Sequence, residues 1–134
     1  MLLLDTCALL WLTGRAPMAR PALTAMLKAA RAGELFISPI SAWEIGMLVE
    51  RGRLQLRVSP SVYVERTFKR RGLTTAPLTP AIAVASTMLP GSIHGDPADR
   101  MLVATAREHG FRLATRDRAI LEYGGKGFVD VVAC

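Results

Sequence analysis

Short, continuous apolar runs alternate along this chain with longer segments whose apolar residues recur at helical spacing. Leu2-Leu3-Leu4 ends on Asp5 and passes into Thr6 to Leu12, a stretch of helical composition that stops near Gly14. Between Pro17 and Gly33, Leu23, Met26, Leu27 and Ala30 define an apolar face, Lys28 and Arg31 lie opposite, and Gly33 ends the helix. Leu35 to Ser38 then predicts a short buried strand closed by Pro39. Ser41 opens the next helix, with Glu44 in its first turn, and Trp43, Met47 and Ile45 among its apolar positions.

Further on, Ser61 to Arg71 predicts a helix carrying Val62, Val64 and Phe68 among Arg66, Lys69, Arg70 and Arg71. Leu73 to Leu78 predicts a strand that Pro77 confines to an end or an edge. Thr79 caps an alanine-rich helix from Pro80 to Leu89, and a second apolar helix follows Asp96 and stops at Gly110. Arg112 to Thr115 is a strand, Arg116-Asp117 begin a brief helix, and Phe128 to Val132 form a final strand. Strands alternating with helices throughout predict an open α/β sheet, largely parallel, with helices on both faces.

Composition sharpens this picture in two respects. The 134 residues suit one domain, 1–134, and 51% hydrophobic against 21% charged residues exclude a disordered chain. No run approaches a membrane span and Met1-Leu2-Leu3-Leu4 lacks a basic leader, so the expected location is the cytoplasm. Cys7 and Cys134 have no metal-type spacing, and Cys7 reads as a small core residue. Seventeen basic against eleven acidic residues give a charge of +6, which favours a polyanionic partner such as nucleic acid, or an acidic protein.

That excess makes the placement of the few acids informative. In a parallel sheet, ligands bind outside the C-terminal ends of the strands. Asp5 follows one strand, Glu44 comes soon after another, Asp117 directly follows Thr115, and Asp96 and Asp99 enter on the loop before the buried helix. Each also has a capping explanation: Ser41-x-x-Glu44 and Asp96-x-x-Asp99 fit capping boxes, with Pro97 at a first helical position. Four connections presenting acids to the same edge is, however, a pattern that individual caps do not require. Carboxylates gathered there repel one another, and a divalent cation removes the conflict; an all-oxygen set suits Mg²⁺ or Mn²⁺ rather than zinc.

Leu3-Leu4-Asp5-Thr6, Ser38-Pro39-Ile40-Ser41-Ala42-Trp43-Glu44-Ile45, His94-Gly95-Asp96-Pro97-Ala98-Asp99-Arg100 and Leu113-Ala114-Thr115-Arg116-Asp117 together resemble the PIN domain family of metal-dependent nucleases, in particular the VapC toxins of toxin-antitoxin systems. The likeness covers nearly the whole chain. It implies a three-layer α/β/α sandwich around a central, mainly parallel sheet, with the family's acidic quartet on Asp5, Glu44, Asp99 and Asp117 and an additional carboxylate at Asp96. Thr6, Ser41 and Thr115 match the hydroxyl residues that orient those acids or water. Arg100 and Arg116 either neutralise the site or contact phosphate, or form structural ion pairs.

The activity so implied is hydrolysis of RNA by water activated on one or two Mg²⁺ or Mn²⁺ ions. The implied partners are a second copy of the chain, as a homodimer, and a cognate antitoxin; exposed apolar surface is expected for such contacts, with Trp11, Trp43 and Leu48 as candidates, although each of the three reads first as a core residue. His94 is close enough in sequence to approach the substrate but is read as solvated loop, and His109 as a helix C-terminal residue favoured by the dipole. An aspartyl-phosphate mechanism fits poorly, because no second acid stands beside Asp5 and no lysine follows a late strand in the setting that chemistry needs. A non-catalytic binding module, with acids serving only as caps and a basic face making the contact, is the remaining alternative.

Overall fold

The computed structural model describes residues 1–134, and its central strand is the leucine run at the N-terminus. Strand β1 (Leu2–Leu4) leads through α1 (Thr6–Gly14) and α2 (Arg20–Ala32) to β2 (Leu35–Ile37). Helices α3 (Pro39–Glu50) and α4 (Pro60–Phe68) follow, then β3 (Thr74–Thr75), α5 (Pro80–Thr87) and α6 (Pro97–His109). The chain closes with β4 (Arg112–Thr115), α7 (Arg118–Gly125) and β5 (Val131–Ala133). The strands form one sheet in the order β3-β2-β1-β4-β5, every pair parallel.

Three consecutive leucines can form a strand here because both of its faces are covered. Leu2 and Leu4 point into a core built with Leu9, Met26, Ile37 and Ile45, under α1, α2 and α3. Leu3 points the other way, into a core with Leu102, Val103, Leu113, Ile120 and Tyr123, under α6 and α7. All three are at least 96% buried, which at about 1.5–3 kcal/mol per leucine makes this strand a large share of the sheet's stability. The result is a three-layer α/β/α sandwich. No helix is long and apolar enough to cross a membrane.

Several elements depart from the sequence expectation. On α2 the buried positions are Ala22, Met26 and Ala29, whereas Leu27 is exposed, so small residues let the helix approach the sheet closely. Helix α3 starts earlier than expected: the Ser38 hydroxyl accepts from the Ile40 N–H (3.2 Å) and Pro39 opens the helix. Glu44 therefore lies in the second turn rather than the first. Helix α4 ends at Phe68, which leaves Lys69, Arg70 and Arg71 on the turn after it. The last strand is shorter than Phe128 to Val132, because Phe128 leaves the ladder to stack on Tyr123 at 4.8 Å.

Helix α7 carries Asp117 at its start and closes tightly on the last strand near its end. A Cβ on Gly124 would lie 2.5 and 2.8 Å from the Val131 methyl carbons and 3.1 Å from the Val129 carbonyl. Gly124→Ala is expected to destabilise the fold by about 1–3 kcal/mol through overpacking, read as a lower urea midpoint. An unchanged midpoint would show that this contact has slack.

Candidate active site

Chain direction across the sheet reverses between β1 and β4, since β2 and β3 extend one side and β4 and β5 the other. Such a reversal leaves a crevice beyond the strand ends, where the two adjoining connections part. Here it is a pocket of about 370 Å³ lined by Asp5, Glu44, Asp99 and Asp117, together with Thr6, Cys7, Trp11 and Arg116. Asp96 is exposed at its edge, with a carboxylate oxygen within 4.8 Å of those of Glu44 and Asp99. Five of the eleven acids thus sit together in a chain of net charge +6.

Capping and clustering turn out to be compatible. Asp5, Asp96 and Asp117 are the N-caps of α1, α6 and α7, accepting from the N–H groups of Ala8 (2.6 Å), Asp99 (3.0 Å) and Ile120 (2.9 Å). A carboxylate has about four acceptor sites, so each cap leaves lone pairs for the pocket. Glu44 and Asp99 are not caps. Ser38 holds the N-cap position that the sequence suggested for Ser41, so Glu44 has no capping partner at Ser41. The backbone N–H of Asp96, which Asp99 would satisfy in a full capping box, instead donates to His94 Nδ1 at 3.2 Å.

Hydroxyls brace this arrangement from behind. Thr6 donates to Ser41 Oγ (3.0 Å) in a buried contact between α1 and α3, and its hydroxyl beside Glu44 partly offsets that carboxyl's rise. The Thr115 hydroxyl accepts from the Asp117 N–H (3.0 Å) and also favours the ionised form of Asp5. The opposing effects are larger. Burial, followed by the charges of Asp96, Asp117, Glu44 and Asp5, pushes Asp99 up to about 7. Burial also raises Asp5 and Glu44, with added repulsion from Asp117 on the first and from Asp96 and Asp5 on the second.

The two arginines differ. Arg116 lines the pocket, its guanidinium stacked 3.8 Å over the Trp11 ring and its Nε donating to the Cys134 carbonyl (2.9 Å). Arg100 does not line it and makes no ion pair. It donates instead to the carbonyls of Ser86 (2.8 Å), Ile93 (3.3 Å) and His94 (3.4 Å), tying the preceding loop to α6.

Two residues were misread from sequence. His94 is not solvated loop: Nε2 lies 3.3 Å from Asp99 Oδ2 and 3.5 Å from Asp117 Oδ1. Its place directly before Gly95-Asp96 was the signal available. Cys7 is exposed at the pocket rather than in the core, and partial desolvation by the pocket wall, with the charges of Asp5, Glu44 and Asp99, raises its thiol to about 11. Thr6 took the inward position after Asp5. His109 does end α6, where its ring stacks on Phe111.

The donor set fits a hard divalent cation. Two groups have ligand atoms mutually within 4.8 Å, Glu44-Asp96-Asp99 and His94-Asp99-Asp117, with Asp99 in both. Oxygen predominates, and carboxyl groups raised by burial and by mutual repulsion are those a cation relieves.

Comparison with known proteins identifies the family and the fold. The PIN domain family model matches residues 2–126. Ribonuclease VapC22 of Mycobacterium tuberculosis is 39% identical over 89 residues, covering 66% of this chain and 67% of that protein. Among solved structures, VapBC2 from Rickettsia felis bound to a promoter DNA fragment superposes with a TM-score of 0.69 at 14% identity, covering 98% of this chain and 97% of that one. A toxin-antitoxin complex from Klebsiella pneumoniae gives 0.61 at 20% identity, covering 98% and 96%. At these identities the superpositions show the fold.

The acids also set a pH dependence. Asp99 ionises near pH 7 in the folded chain against an ordinary 3.8, so between those values the folded state holds a proton that the unfolded state has released. Metal-free protein is expected to lose stability as pH rises from about 4 through 7, with Asp5 and Glu44 contributing in the same direction. Asp99→Asn is expected to flatten the slope and raise Tm above pH 7; an unaltered Tm-against-pH curve would contradict this.

Proposed function

The chain belongs to the PIN domain family, and on that basis we propose that it is a metal-dependent endoribonuclease, the toxin of a toxin-antitoxin pair. One observation carries the reading: five carboxylates from four connections meet at the sheet's reversal point, and burial with mutual repulsion holds Asp99 near 7. Structural capping explains three of the five and leaves Glu44 and Asp99 unaccounted for. Asp5, Glu44, Asp99 and Asp117 would hold Mg²⁺ or Mn²⁺, with Asp96 at the edge. When bound, the ion supplies Lewis acidity that ionises water and neutralises charge on the phosphate.

The remaining chemistry is the chain's own. Thr6, Ser41 and Thr115 fix the carboxylates so that their free lone pairs converge on one volume. A carboxylate of the set accepts the proton of the attacking water. Arg116, held flat on Trp11, offers its remaining N–H groups to a phosphate oxygen at the pocket's rim. Arg100 is spent on backbone carbonyls and acts by positioning the loop. Seventeen basic residues, set against six acids outside the site, draw the RNA backbone in by a salt-dependent attraction.

The same reading includes a homodimer and a protein antitoxin. Trp43 on α3 is 49% exposed, and Val84 and Met88 at α5 are 57% and 70% exposed, an apolar excess on two helices that both pack against α6. We assign this surface to the contact between two copies. Trp11 and Leu48, by contrast, are half-buried.

Asp99→Asn is expected to lower Mg²⁺-dependent RNA cleavage on the order of a hundredfold or more while the circular dichroism spectrum is kept. Full cleavage by that variant would overturn the assignment. Sedimentation at micromolar concentration is expected to show a dimer that Trp43→Lys converts to a monomer; a monomeric parent would contradict the interface.

A further inference from the structure

We propose that His94 is a hydrogen-bond donor to the substrate's phosphate, acting through Nε2–H and not as a metal ligand; this rests on the ribonuclease reading. Nε2 is buried and has no hydrogen-bond partner of acceptable geometry, although the Asp99 and Asp117 carboxylates flank it at 3.3 and 3.5 Å. A buried N–H without a partner carries an uncompensated desolvation cost, so such an atom set between two pocket-lining carboxylates points to a missing acceptor.

The other ring nitrogen settles which way the donor faces. Nδ1 accepts the Asp96 backbone N–H at 3.2 Å, and an imidazole that accepts at Nδ1 carries its proton on Nε2. A metal ligand needs a lone pair on Nε2, which this tautomer lacks. The nitrogen-and-carboxylate grouping of His94, Asp99 and Asp117 is therefore a donor against two acceptors, despite having the spacing of a cation site.

The ring is also held on its backbone side. Arg100 donates to the His94 and Ile93 carbonyls and, from α6, to the Ser86 carbonyl of α5, so the loop bearing His94 is anchored at both ends. Once the lone pairs of Asp99 and Asp117 are turned toward a cation, the acceptor left for Nε2–H is a non-bridging oxygen of the phosphodiester bound there. A fixed N–H stabilises the charge that develops on that oxygen, and no proton leaves the ring.

Three measurements on the full chain test this. In ¹⁵N-histidine spectra, His94 is expected to remain the Nε2–H tautomer as Mg²⁺ is added. In calorimetry without RNA, His94→Ala is expected to bind Mn²⁺ as the parent does. In cleavage assays, His94→Ala is expected to lose on the order of a hundredfold in kcat/KM, and His94→Gln, whose amide N–H can take the Nε2 position, to recover part of it. Movement of the ring proton to Nδ1 on adding Mg²⁺, or weakened Mn²⁺ binding by His94→Ala, would make His94 a ligand and overturn the proposal. Parental cleavage by His94→Ala would overturn this proposal alone, whereas a parent that cuts no RNA would overturn the ribonuclease reading and with it the substrate contact assigned here.

Discussion

Like-charge repulsion among partly desolvated carboxylates is the constraint that orders this molecule. Asp5 is buried, Glu44 and Asp99 are half-buried, and Asp117 and Asp96 stand at the opening, so the group meets water on one side only. Burial and, after it, the charge of its neighbours make each carboxyl harder to ionise, which is why Asp99 sits near 7. A fold seeking only stability would separate these residues. Keeping them together requires compensation, and the chain supplies it in parts: three helix N-termini, the hydroxyls of Thr6 and Thr115, and the Arg116 guanidinium at the rim.

The sheet makes that concentration possible. Strand β1 is buried on both faces and lies between β2 and β4, so the two connections that leave its side of the sheet diverge and open a gap. Asp5 closes the floor of that gap as the last residue before α1, its own N–H bonded to the Ala114 carbonyl at 3.0 Å. Helices α3 and α6 pack together across the opening, which is how Glu44 meets Asp96 and Asp99 despite their separation in the chain. Stability resides in the leucine-rich layers, and the pocket draws on it.

Much of this was legible in the amino-acid order, because it follows from local rules. The leucine run, the Pro80 helix start, and the Gly33 and Gly110 stops all have short-range causes, and so the alternation of strands and helices is readable. The acids at strand ends were readable for the same reason. What could not be read depended on which side chain wins a contested hydrogen bond. Ser38 and Ser41 are both good caps, and only the burial of Ser41 against Thr6 decides between them. His94 competes with Asp99 for one backbone N–H, and that outcome frees the acid and orients the ring. Cys7 and Thr6 could exchange inward and outward positions on composition alone; the packing of α1 on α3 chose.

The direct test of cation-relieved repulsion is calorimetric titration of the metal-free protein with Mn²⁺ at pH 7, repeated in buffers of different ionisation enthalpy. With Asp99 near half-protonation there, saturable binding accompanied by proton release is the expected result. No binding, or binding that releases no proton, would contradict it and leave the gathered carboxylates without a physical reason.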